Sequence, residues 1–243
     1  MNKKIIFPLA VIFALMFGAC GVNVNIDVQR GSGNVVSETR DVSNFDKVVL
    51  TGIGDVTVVQ GDHESLVIEA EDNLIRYIET EVENGVLTIG FERKSLLPTE
   101  PVKFHLTMRE VRGLDTRGVS NIQSDEITTD RLDIGISGTG SVTINDLTAD
   151  LAVVNVSGAG SFNAEGQVDS QRVTLSGAGN FEGEDLESQT AEVIISGLGR
   201  VAVWATDTLD VTISGTGSVD YYGSPEVNQR VSGVGRLKDM GDK

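Results

Sequence analysis

The stretch Ile134-Gly135-Ile136-Ser137-Gly138-Thr139-Gly140-Ser141-Val142 decides the fold, because the chain writes it repeatedly. Its centre, Ser-Gly-x-Gly, returns as Ser157-Gly158-Ala159-Gly160, Ser176-Gly177-Ala178-Gly179, Ser196-Gly197-Leu198-Gly199, Ser214-Gly215-Thr216-Gly217 and Ser232-Gly233-Val234-Gly235. Successive serines lie 20, 19, 20, 18 and 18 residues apart, which is the regularity of one structural unit repeated and not of six unrelated turns. A degenerate copy, Arg117-Gly118-Val119-Ser120, stands 20 residues before the first, and Thr51-Gly52-Ile53-Gly54 carries the pattern into the N-terminal part.

Apolar side chains sit one and three residues before each serine and five after it. Ile134, Ile136 and Val142 fill these places in one copy, and Val154, Val156 and Phe162 in the next. The series continues with Val173, Leu175 and Phe181, then Val193, Ile195 and Val201, then Val211, Ile213 and Val219; Thr51 obeys it with Val48, Leu50 and Val56. Period-two alternation on both sides of a glycine corner predicts strand, bend, strand, each with one buried face. One coil cannot bury that face alone, so the repeats predict an all-β solenoid with coils of about 18–20 residues, stacked edge to edge. Six such coils span about 30 Å at the usual strand spacing. The last copy weakens as an end should, with Gln229 in an inward place, and a polar end protects an open sheet edge.

Upstream of the series, residues 31–93 read as a β-rich part of the same domain. Gly31-Ser32-Gly33 opens an extended stretch through Val35, Val36, Val48 and Leu50, Ser65 to Ala70 reads as a strand, and Asp72 to Ile78 has room for one or two helical turns. Thr80–Glu83 and Val86–Phe91 flank Asn84-Gly85, the pair that best tolerates the positive φ angles of a two-residue hairpin turn. Pro98 and Pro101 make residues 94–101 a linker or loop between two parts of one continuous structure, with the repeat solenoid following over residues 102–243.

The first residues have the pattern of an export signal. Lys3 and Lys4 precede an apolar run from Ile5 to Phe17, too short to span a membrane comfortably, and the run closes on Gly18-Ala19-Cys20. Small residues directly before the only cysteine resemble the lipobox of bacterial lipoproteins. Residues 1–19 are then a lipoprotein signal peptide, Cys20 the acylated first residue, and residues 20–30 a tether that holds the protein on a membrane. Gly21, Val22 and Asn23 supply no acidic retention signal, which points to the outer membrane, on its periplasmic or surface side. From Cys20 onward 17 basic residues face 36 acidic ones, a formal charge of −19, so nucleic acid and anionic headgroups are poor partners. With Cys20 acylated no thiol remains for disulfides or thiol chemistry.

Taken together, Gly31-Ser32-Gly33-Asn34-Val35-Val36, Arg40-Asp41-Val42 through Phe45, Thr51-Gly52-Ile53-Gly54-Asp55-Val56, Glu69-Ala70-Glu71-Asp72-Asn73-Leu74, Glu79-Thr80-Glu81-Val82 and the Ser-Gly-x-Gly series resemble a family of bacterial envelope proteins. These are described as putative auto-transporter adhesins with a head GIN domain, formerly a domain of unknown function. The resemblance spans about residues 31–237 and implies a right-handed parallel β-helix-like fold in an exported protein with an adhesion role. The literal triplet Gly-Ile-Asn is absent, and the family brings no functional residues with it.

No residue pattern announces an active site. A phosphate cradle needs a helix after its glycines, and here a strand follows each time. Calcium-binding β-rolls carry aspartate in the turn, whereas Ser141, Ser161, Asn180, Arg200 and Ser218 follow the second glycine and only Asp55 fits. Asp55, Asp133, Asp150, Asp210 and Asp220 occupy no common repeat offset that forms a consistent ladder, and His63 and His105, the only histidines, lack partners for a metal pair or triad. No cofactor or metal is expected. Trp204 lies eight residues after Ser196 and Tyr222 eight after Ser214, so the two share an offset and form a candidate outward ligand-contact patch. The sequence therefore predicts a non-enzymatic, lipid-anchored adhesin or binding scaffold, with a glycan or another envelope protein as partner. One alternative is a carbohydrate-active β-helix enzyme, which needs acids from neighbouring coils to converge with a Lys or Arg. The other is an accessory protein docking an envelope partner through an apolar patch or open edge.

Overall fold

The computed structural model describes residues 28–92 and 95–243; the expected signal peptide, Cys20 and the expected tether up to residue 27 lie outside the described residues. The chain is all-β, a stack of parallel coils in which strands from successive repeats lie in register. Four long strands, Thr139–Val156, Ala159–Leu175, Ala178–Ile195 and Leu198–Ile213, each run from one Ser-Gly-x-Gly corner to the next. Thr216–Tyr222, Glu226–Val231 and Val234–Asp239 complete the last turns.

The corners stack directly on one another. In each, the amide after the first glycine donates to the carbonyl of the equivalent glycine one coil earlier, as in Leu198 to Gly177 at 2.8 Å and Thr216 to Gly197 at 2.9 Å. The amides of the serine and the first glycine share one more carbonyl, so Ser196 and Gly197 both donate to Leu175 at 2.9 and 3.1 Å. This contact leaves no room for a side chain: a Cβ on Gly197 would stand 2.1 Å from the Gly177 carbonyl oxygen. The three predicted apolar offsets all point inward. Val142, Phe162, Phe181, Val201 and Val219 form one buried column in consecutive register, and the two phenylalanines stack with ring centroids 5.2 Å apart.

The N-terminal part belongs to the same stack, in an order that the repeat arithmetic does not reveal. Lys47–Leu50 and Ile53–Gln60 form a full coil around Thr51-Gly52, and Gly113–Thr116 and Val119–Ser124 lie on one side of it. On its other side lie Val86–Phe91 and Lys103–Met108, which come later in the chain. An early coil is thus inserted between two later ones. Antiparallel strands close this end: Ile78–Glu83 pairs with Val86–Phe91, while Ser65–Glu71 lies between Lys103–Met108 and Val35–Arg40. The Asn84-Gly85 hairpin forms as expected, with φ of 52° and 80°, and the helical potential of 72–78 is realised as one 3-10 turn, Ile75–Tyr77. Val28–Arg30 pairs in parallel with Ser95–Leu97, which joins the end of the tether segment to the 94–101 segment.

Glu71 ties this junction together. Its buried carboxylate accepts bonds from the Gly33 amide at 2.6 Å, the Thr99 amide at 2.9 Å and the Thr99 hydroxyl. Burial works to raise its pKa, but the bonds from Thr99, Gly33 and Glu100 prevail and hold it below the ordinary value. Because the folded pKa is the lower one, this contribution is complete above the ordinary glutamate range and is lost as pH falls through the folded value.

Two expectations follow for urea unfolding. Gly197→Ala forces the corners apart and costs about 2–3 kcal/mol, whereas Leu198→Ala, at an exposed place one residue on, changes stability by about 0.5 kcal/mol or less. Glu71→Gln costs about 1–3 kcal/mol at pH 7, and the gap to the unaltered protein closes as pH is lowered below about 4. A gap that stays constant from pH 7 to 3 would show that the charge on Glu71 adds nothing.

Candidate binding site on the last coils

The two residues singled out by their shared offset are brought together. Trp204 and Tyr222 are direct register partners on adjacent strands, half-buried on the outer side of the stack. The alternation of the strand explains why Tyr222 and not Tyr221 stands there. Tyr221 packs against the core, and burial together with the Asp239 carboxylate beside it pushes its phenol pKa up.

Next to Trp204 the ladder is interrupted. Gly183 pairs with Val203 and Glu187 with Trp204, so residues 184–186 bulge out with no counterpart in the shorter coil that follows. Leu186 turns inward and is fully buried, which anchors the bulge, while Asp185 remains outside. The tail beyond the last strand crosses this place. The Met240 amide donates to the Tyr221 carbonyl at 2.9 Å, the Gly223 amide to the Gly241 carbonyl at 3.0 Å, and the Ser224 hydroxyl to Asp242 at 2.7 Å. Lys243 then ion-pairs with Asp185, its ammonium 5.0 Å from the Tyr222 ring centroid and 5.7 Å from that of Trp204.

A shallow groove of about 1120 Å³ leads from Tyr222 and Met240 across the last coils, past Asp220, Ser218, Arg200 and Glu182. Glu184 and Asp220 on this groove each bury one carboxylate oxygen that has no hydrogen-bond partner. Glu182, Glu184 and Asp220 set acceptors on this groove and Arg200 and Arg236 set donors beside them, which suits a polar ligand bearing hydroxyl groups.

Acids also align elsewhere, at an offset the sequence reading passed over. Asp130, Asp150 and Asp169 each stand seven residues before a corner serine, between register pairs that place them in neighbouring coils. With Glu110, Arg109 and Gln189 they line a polar groove of about 670 Å³, where Gln189 donates to Asp169 at 3.1 Å. Asp150 thus belongs to a ladder after all. A second meeting of acids with basic groups lies around Asp133, which accepts from Arg131 at 2.6 Å and faces Lys47 at 3.6 Å. Burial acts to raise Asp133, but Arg131 and Lys47 hold it low; burial pushes Asp115, one coil earlier, up. The oxygens of Asp133 are committed to these ion pairs. Among the described residues no group of three or more His, Cys, Asp and Glu side chains is gathered to hold a metal ion. His63 contacts Asp62 at 2.8 Å and His105 contacts Glu69 at 3.4 Å, both near the surface.

Comparison with known proteins agrees with this architecture. Residues 44–225 match the family described as "putative auto-transporter adhesin, head GIN domain", and the chain belongs to that family. No curated protein matches the chain. Among solved structures, a putative adhesin from Bacteroides fragilis is similar, with a TM-score of 0.84 and 27% identity over 87% of this chain and 99% of that one. A putative adhesin from Parabacteroides merdae shares the fold with a TM-score of 0.71 at 20% identity, over 88% of this chain and 99% of its own. So does a putative lipid binding protein from Parabacteroides distasonis, with a TM-score of 0.70 at 24% identity and the same coverage. The family and these neighbours are described as adhesins or binding proteins, and none as an enzyme.

Proposed function

We propose that this chain is a non-enzymatic, adhesin-like envelope protein, lipid-anchored through Cys20 to the outer membrane, whose rigid solenoid presents a contact site at Trp204 and Tyr222. The observation that carries the reading is the register pairing of these two rings beside a polar groove, away from the antiparallel strands that close the other end. Paired aromatic faces beside carboxylates and guanidiniums fit a glycan, whose C–H faces stack on rings while its hydroxyls donate and accept. Membership of an adhesin family supports the role, and the Gly18-Ala19-Cys20 sequence after a short apolar run supports the anchor.

One observation favours a protein partner instead. Leu198 and Val234, at the same corner position in two of the last coils, are 57% and 74% exposed, and Val231 on the final coil is 44% exposed. Such a patch at the end of a parallel stack suits an envelope protein that covers it.

A glycan array probed with the protein lacking residues 1–20 separates the two. Saturable glycan binding that weakens at least about tenfold in Trp204→Ala/Tyr222→Ala supports the adhesin reading; an empty array moves the assignment to the protein partner. For the anchor, Cys20→Ser is expected to move the protein from the membrane fraction to the soluble fraction of cells, and unchanged fractionation would refute acylation there.

A further inference from the structure

The Trp204–Tyr222 site already holds a ligand-like group, and it comes from the chain itself. Lys243 meets three features at once: two aromatic faces within the range at which rings attract a cation, and the Asp185 carboxylate as hydrogen-bond acceptor. Each feature selects something different. The rings attract any cation, but Asp185 rewards one that carries N–H groups, which a quaternary ammonium lacks. The backbone that carries the lysine is fixed by the bonds from Met240 to Tyr221 and from Gly223 to Gly241, with a left-handed bend at Gly241, where φ is 87°.

From this geometry we propose that Trp204, Tyr222 and Asp185 form a recognition site for a lysine side chain of a partner protein, with Lys243 as a tethered stand-in that must leave first. The proposal rests on the reading of Trp204 and Tyr222 as a contact patch and adds the ligand's chemistry. The bulge at residues 184–186 is what makes the site specific, because it carries Asp185 to rings that would otherwise be a bare aromatic pair. A short tether gives Lys243 an effective concentration in the millimolar range, so a free lysine competes poorly until the tail is altered.

Trp204 is the only tryptophan, so its emission reports on this site alone. The full chain in detergent and its Lys243→Ala variant are titrated with N-acetyl-lysine amide. Lys243→Ala is expected to shift the emission as the ring becomes more hydrated, and the lysine amide to reverse the shift saturably, at a concentration at least about tenfold lower than any response of the unaltered chain. Adding Asp185→Asn should weaken this binding at least about fivefold, and tetramethylammonium should bind the Lys243→Ala variant more weakly than the lysine amide does. An emission that ignores both Lys243→Ala and the lysine amide overturns the proposal. If glycans still bind through Trp204 and Tyr222 in that case, the contact patch stands and only its lysine specificity falls; if neither ligand binds, both fall. A response to phosphatidylethanolamine vesicles but not to the lysine amide would also overturn it, and would give the site to a lipid headgroup.

Discussion

The whole structure depends on how closely one backbone corner can sit on the next. Parallel strands are spaced by their hydrogen bonds at about 4.8 Å, and a sharp bend at that spacing brings the carbonyl of one coil to where the Cβ of the next would be. The column of first glycines, with Gly138, Gly158, Gly177, Gly197, Gly215 and Gly233 each facing the previous corner's backbone, is the answer to that constraint. Once the corners are aligned, the residues one and three before them and five after them have no choice of face. Phe162 stacks on Phe181, and the valines above and below continue the column, because the glycines beside them allow nothing else.

A fixed corner leaves the opposite side of each coil free to vary. Repeat lengths of 18 to 20 residues are absorbed there without disturbing the core, as in residues 184–186, where buried Leu186 holds the extra chain and Asp185 is carried outward. The two orphaned carboxylate oxygens, the aromatic pair and the lysine of the tail all lie around this one irregularity. Regular coils supply stiffness, and departures from regularity supply chemistry.

The coils were legible in the sequence because every determinant of them is local to a repeat: the Ser-Gly-x-Gly corner, the inward offsets, and the common offset of Trp204 and Tyr222. What escaped reading depends on contacts that offsets do not encode. Asp185 lies in a bulge where counting from the serine loses its meaning, and Lys243 follows the last repeat. Glu71 finds its partners at Gly33 and Thr99, 38 and 28 residues away. The aspartate ladder is different, since Asp130, Asp150 and Asp169 share an offset that was open to inspection. Asp133 and Asp210 stand four residues before their serines, and Asp55 and Asp220 follow their corners, so of these acids only Asp150 belongs to the ladder.

The coil around Thr51-Gly52 has neighbours on both sides that are made later, Val86–Phe91 with Lys103–Met108 on one and Gly113–Thr116 with Val119–Ser124 on the other. A chain that emerges from its amino end therefore cannot complete this coil as it appears. Residues 47–60 must wait, apolar face open, until about residue 124 is available, and that wait is a long loop to close. Every coil after it can then be added singly onto a finished edge, as in other linear repeat proteins. Folding is thus divided into one slow, non-local assembly step and a quick succession of local ones, and the slow step is when a chain of this kind most needs a chaperone.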